Sequence, residues 1–209
     1  NAVSFANDGT LTLGASGGTQ TYNGGLNTAS VGGTVTLNGT IASSNDVIAL
    51  GAVTLASATT IDTNATSNAA DITVAAITGG SSNLTLSTGN NIAGADITAS
   101  GAISGLGNLT LADVGGTATF SNNVVTTDLT VGNTVANVRF NGSTNTFTNA
   151  VNFQNDGTLT FGDATGDSFT FNGGLTTSSV AGTVTLNTSI SSSDDALTFG
   201  AITLGNNVT

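Results

Sequence analysis

The sequence contains no Cys, Met, Trp, His, Pro, Lys or Glu, and its twelve acidic residues are all Asp. Arg139 is the single basic residue, so the net charge is −11. Each absence excludes something. Without Cys there is no disulfide framework. Without His, Cys, Lys or Glu the usual general bases and nucleophile activators are gone, and no enzyme is expected. One Arg cannot neutralise a run of phosphates, so nucleic acid is not expected as a partner. The same lack argues against electrostatic binding to anionic membranes. The longest apolar runs are a few residues, so no membrane insertion is expected. Helix is poorly supported, because most strong helix formers are missing and Gly and Thr interrupt every window. No signal peptide is visible and Asn1 is not an initiator, which suggests a processed or truncated start.

What remains is Gly, Thr, Asn, Ser and Ala, with Val, Ile, Leu and Phe placed at regular intervals. That regularity argues against disorder, and those apolar types favour strands. Apolar-Thr-apolar triplets run the length of the chain: Leu11–Leu13, Val35–Leu37, Val53–Leu55, Ile72–Val74, Leu84–Leu86, Leu109–Leu111, Leu129–Val131, Leu159–Phe161, Val184–Leu186 and Ile202–Leu204. Alternation at period two puts the apolar pair on one face of a strand and Thr on the other. Gly-rich and Asn-rich turn signals lie between, among them Asn7-Asp8-Gly9, Asn23-Gly24-Gly25 and Asn172-Gly173-Gly174. Most triplets start 19 to 25 residues apart.

An antiparallel meander would want hairpin turns every 8 to 12 residues. Coil-sized repetition instead points to an all-β parallel β-helix, a β-solenoid of about 19–25 residues per coil. Val, Leu, Ile and Phe would stack inside. Asn, Asp and Gly would form the corners, and Thr and Ser would cover the outside as ladders. About nine or ten coils at the ~4.8 Å strand spacing would make a rod of about 45 Å.

A second, longer period overlies the first. Residues 2–14 return as 150–162 with 10 of 13 identities, and residues 23–55 return as 172–204 with 21 of 33. The shift is 148 before, and 149 after, a one-residue insertion that falls between Gly14 and Asn23. Residues 1–209 therefore read as one continuous solenoid segment, with 1–149 a long unit of about seven coils and 150–209 the start of the next copy. Asn1 and Thr209 both fall inside the repeat, which suggests a fragment of a longer repetitive protein.

The stretch Phe171-Asn172-Gly173-Gly174-Leu175, then Gly182-Thr183-Val184-Thr185-Leu186-Asn187, Ile190 and Leu197-Thr198-Phe199-Gly200 resembles the giant β-strand-repeat proteins of bacterial surfaces. These are the filamentous-haemagglutinin and autotransporter-passenger class, and the resemblance covers essentially the whole chain. It implies a secreted, right-handed parallel β-helix acting in adhesion, surface layers or extracellular filaments. The secretion domain of that class and a membrane anchor are not in this sequence.

Candidate sites are few. Asp194-Asp195 is the carboxylate pair to weigh for glycoside chemistry, but neighbours in a strand point to opposite faces and neighbours in a turn point to solvent. Its counterpart is Asn45-Asp46, so the dyad is not kept between copies, and turn formation accounts for it. Calcium could use Asp8, Asp156, Asp163, Asp167, Asp194 and Asp195 in Gly-rich turns, with Asp163 and Asp167 the best pair. No calcium-binding nonapeptide or EF-hand spacing occurs. The Thr-x-Thr motifs at Thr10 and Thr12, Thr34 and Thr36, Thr158 and Thr160, and Thr183 and Thr185 could order water on a flat face, as in ice binding. Arg139 is expected to contact an acidic side chain. Sequons at Asn38, Asn64, Asn83, Asn108, Asn141 and Asn187 are expected by chance in such a composition.

The expected function is therefore structural: an extracellular fibrous protein, adhesin or filament subunit whose main partner is itself, through further repeats or head-to-tail stacking. The alternative is a glycan-binding or surface-binding module, for which Tyr22, Phe169 and Phe171 are the candidate aromatic platform. The Phe residues and Tyr22 otherwise read as core, with Tyr22 aligned to Phe171.

Overall fold

The computed structural model describes residues 1–67, 70–206 and 208; Thr209 lies outside them. The chain is an all-β parallel β-solenoid of about nine turns. Among the described residues every regular element is a strand, and each pairing between strands is parallel. All ten apolar-Thr-apolar triplets lie in strands.

The solenoid has three faces. The first is a ten-stranded sheet from Val3–Ser4 to Ile202–Leu204. An eleven-stranded sheet wraps the second and third faces together. Strand Val35–Ser43 shows how: Val35 to Leu37 pair with Leu11–Leu13, and Thr40 to Ser43 pair with Thr19–Tyr22. Between them Gly39 takes a φ of 63°, the register shifts, and the strand turns a corner. A left-handed angle is open to glycine without the Cβ clash that other residues meet. A three-stranded sheet, Val151–Asn152, Leu175–Thr176 and Leu197–Thr198, continues the third face, joined to it by the bridge from Val131 to Phe153.

Partners in the first face run Val3, Leu26, Ile48, Ile72, Ile97, Ala118, Val138, Leu159, Val184 and Ile202. Their spacing spans 18 to 25 residues, one residue shorter at the low end than the triplet spacing implied. The 18-residue coil occurs in both copies, from Val35 to Val53 and from Val184 to Ile202.

Inward-facing side chains form one long core, beside which Ala65, Ala70 and Ala95 make a small separate cluster. Its composition changes along the axis. Coils up to Leu111 are filled by Leu, Ile and Val, whereas Phe120, Phe140, Phe147, Phe153, Phe161, Phe169 and Phe171 are fully buried in the later coils. Rings in register stack face to face: Phe140 on Phe161 with centroids 6.1 Å apart, and Phe147 on Phe171 at 4.9 Å. Stacking like on like adds about 0.5–1.5 kcal/mol per aromatic pair beyond the area buried.

The copies match locally. Leu11 pairs with Val35 as Leu159 pairs with Val184, and Leu26 pairs with Ile48 as Leu175 pairs with Leu197. The one-residue insertion falls in the loop between strands Leu159–Phe161 and Ser168–Phe171, where it displaces no strand pairing.

Candidate functional site

The outer surface is built from the alternation already in the triplets. On the third face Thr19, Thr40, Thr60, Thr85, Thr110 and Thr130 align in one column. On the second, Thr12, Thr36, Thr54 and Thr78 align. On the first the column reads Thr73, Thr98, Thr119, Arg139, Thr160, Thr185 and Thr203. Successive positions in each column are therefore about 4.8 Å apart, with Arg139 interrupting the threonines of the first face.

A second set of polar side chains ties coil to coil, and the triplet pattern does not single it out. Asp71 Oδ1 accepts the Asp96 N–H at 2.9 Å, and Asp96 Oδ1 accepts the Thr117 N–H at 2.7 Å. Asn83 does the same for Asn108 at 3.0 Å, and Asn137 for Thr158 at 2.9 Å. Each acceptor stands immediately before an apolar strand residue: Asp71 before Ile72, Asn83 before Leu84, Asp96 before Ile97 and Asn137 before Val138. An Asn or Asp at that position is the sequence signal. Its oxygen satisfies a backbone N–H one coil further on, where an unpaired donor would be costly.

Asp163 and Asp167 do lie in one loop. Asp163 is exposed and Asp167 is buried. The Asp167 Oδ2 accepts the N–H groups of Asp163 and Ala164, both at 3.0 Å, and its backbone carbonyl accepts the Thr188 hydroxyl. The carboxylate thus closes its own loop. In the first copy Gln20 has the corresponding task, its Oε1 accepting the Gly14 N–H at 2.9 Å. Among the described residues no group of three or more acidic side chains converges in a way that could hold a metal ion.

Asp194 and Asp195 are exposed in a bend. The Asp195 carbonyl accepts the Ser192 hydroxyl at 2.6 Å, a turn-closing bond that its counterpart Asp46 repeats with Ser43. Asp8 and Asp156 are exposed beside Asn7 and Asn155. Asn7 Nδ2 donates to the carbonyls of Gly9 and Thr10, and Asn155 Nδ2 to those of Gly157 and Thr158, so the same turn closes in the same way in each copy.

Arg139 departs from expectation. Its Nε donates to Asn141 Oδ1 at 2.9 Å rather than to a carboxylate. The reason is positional: its neighbours along the column are Thr119 and Thr160, which offer no negative charge. Phe169 and Phe171 are fully buried, so they form no aromatic platform. Tyr22 packs partly buried against the core and donates its hydroxyl to Gln20 Oε1 at 3.1 Å.

Recesses among the described residues include two small ones. One of about 170 Å³ is rimmed by Asn91, Asn133, Thr134 and Asp156. The other, about 250 Å³, runs along the second face between Thr34, Thr54, Thr78, Ala52 and Ala76. Both are small against ligand pockets of roughly 300–1,000 Å³. Chemically the described surface offers hydroxyls, amides and carboxylates on a stack of parallel coils. Comparison with known proteins returns no matching family model, no matching curated protein and no matching solved structure.

Proposed function

We propose that the chain is a structural repeat segment of an extracellular bacterial fibre, adhesin or surface filament, exported from the cell and without catalytic activity. One observation carries this reading: coil after coil is held by the same three devices. These are backbone ladders on three faces, polar side chains that reach the next coil, and a long core. Such a molecule sets distance and shape by repeat number. The partner we propose is its own kind. Each coil pairs with the next in parallel, and the same edge chemistry is suited to receiving another parallel coil. Net charge −11 with one cation favours solubility where salt screens self-repulsion.

Electron microscopy of the native material, combined with surface proteolysis of intact cells, tests the proposal. Long uniform fibres removed by protease from the cell exterior are expected. Globular particles confined to the cytosol would overturn it.

A further inference from the structure

The two copies of the long repeat build the same coils but do not occupy the same faces. Val3 lies in the first face, and its counterpart Val151 lies in the third. Leu11 lies in the second face, and Leu159 in the first. Gln20 belongs to the third face, and its counterpart Phe169 to the second. Leu26 and Leu175, Val35 and Val184, and Ile48 and Leu197 repeat the same displacement. Every matched segment has moved by one face in the same sense.

Counting turns explains it. From Val3 the first-face column passes through Leu26, Ile48, Ile72, Ile97 and Ala118 to Val138, which makes six whole turns. The chain then crosses the second face at Phe147 and reaches the third at Val151. The long repeat is thus six turns and two faces, close to seven turns but not a whole number. The coils between the copies absorb 148 residues in a non-integral number of circuits.

We propose that the long repeat is a screw unit, which advances the solenoid by six and two-thirds turns and hands its surface to the neighbouring face. The four-threonine grid of Thr10, Thr12, Thr34 and Thr36 shows the effect. It sits on the second face, whereas its counterpart, Thr158, Thr160, Thr183 and Thr185, sits on the first. The two grids are about 32 Å apart along the axis at the ~4.8 Å strand spacing, and they point in different directions. Three such steps, twenty turns, restore the original face. The repeat therefore distributes one surface around the rod instead of laying it along one side. This inference concerns turn count alone and stands independently of the fibre role.

Paired spin labels on the full chain test it, since no native Cys competes for the label. The sites are outward-facing Thr or Arg, where a label disturbs no packing. Thr54→Cys with Thr78→Cys, and Arg139→Cys with Thr160→Cys, are neighbours in one column. Their backbones are about 5 Å apart, so strong dipolar broadening is expected in both. Thr54→Cys with Thr73→Cys, and Thr130→Cys with Thr160→Cys, join consecutive triplets on different faces, and no such broadening is expected. Strong coupling in either of the second pairs, or its absence in either of the first, overturns the screw. Circular dichroism matching the parent chain shows that each variant is folded.

Discussion

Phe120 and Phe140 stack face to face in adjacent coils, with ring centroids 5.0 Å apart and planes 14° apart. Phe140 also stacks on Phe161 and meets Phe147, Phe153 and Phe169 edge-on. It is the hub of the aromatic part of the core. Phe140→Ala should cost about 3–5 kcal/mol, because it removes a fully buried ring and leaves a cavity that rigid neighbouring coils cannot close. Phe5→Ala, at a partly buried site, should cost clearly less. Urea unfolding followed by circular dichroism compares them, and equal losses would contradict the hub.

Much of this fold was legible in the residues, and the limit of legibility has a physical cause. The alternation in Leu84-Thr85-Leu86 or Val184-Thr185-Leu186 dictates a strand with Thr outward wherever it occurs. It carries no label for the face on which it falls. Leu84 ends up on the third face and Val184 on the first, because corner length decides when the chain turns. Strands such as Thr19–Tyr22 and Thr144–Phe147 were harder still, being mostly polar and recognisable only once their coil neighbours are known. The site chemistry divides in the same way. The turn role of Asp194 and Asp195 follows from the run of serines before them, but the partner of Arg139 depends on register.

Asp167 closes its loop through backbone N–H groups. Its buried carboxylate accepts two backbone N–H groups, and Asp163 stays exposed. Asp167→Ala should cost about 1–3 kcal/mol through unsatisfied donors. Asp167→Asn should recover part of this by keeping an acceptor oxygen. Chelator should leave the melting temperature of the parent chain unchanged. A drop on chelation, reversed by added calcium, would show instead that the loop is a cation site.

Tyr22 reports the packing of the first coils. Burial raises its phenol above the ordinary value of 10.0. Between 10.0 and the raised value the folded chain keeps a proton that the unfolded chain has lost, so stability falls as pH rises through that window. The contribution is fully present below the unfolded value and gone above the folded one. The chain has one Tyr and no Trp, so phenolate absorbance reads this residue alone. Its midpoint should lie above that of the same chain in denaturant, and coincident midpoints would mean that Tyr22 is not packed in the native coil.

Arg139 offers the one trypsin site, and its placement makes cleavage a test of the whole stack. The side chain is exposed, but the backbone lies inside strand Val135–Phe140, with Val114–Phe120 on one side and Leu159–Phe161 on the other. A protease must draw an extended segment into its cleft, so both ladders would have to open around a fully buried Phe140. Opening of that size is a loss of neighbouring coils, and cleavage then tracks the population of the opened form. The native chain should stay intact under trypsin for as long as it stays folded. In denaturant it should yield two fragments, 1–139 and 140–209, resolved by mass spectrometry. Phe140→Ala should raise the native cleavage rate by more than tenfold, since a loss of about 3 kcal/mol raises the open population by roughly two orders of magnitude if opening is global. Rapid native cleavage of the parent chain would mean that Arg139 is not held between two strands.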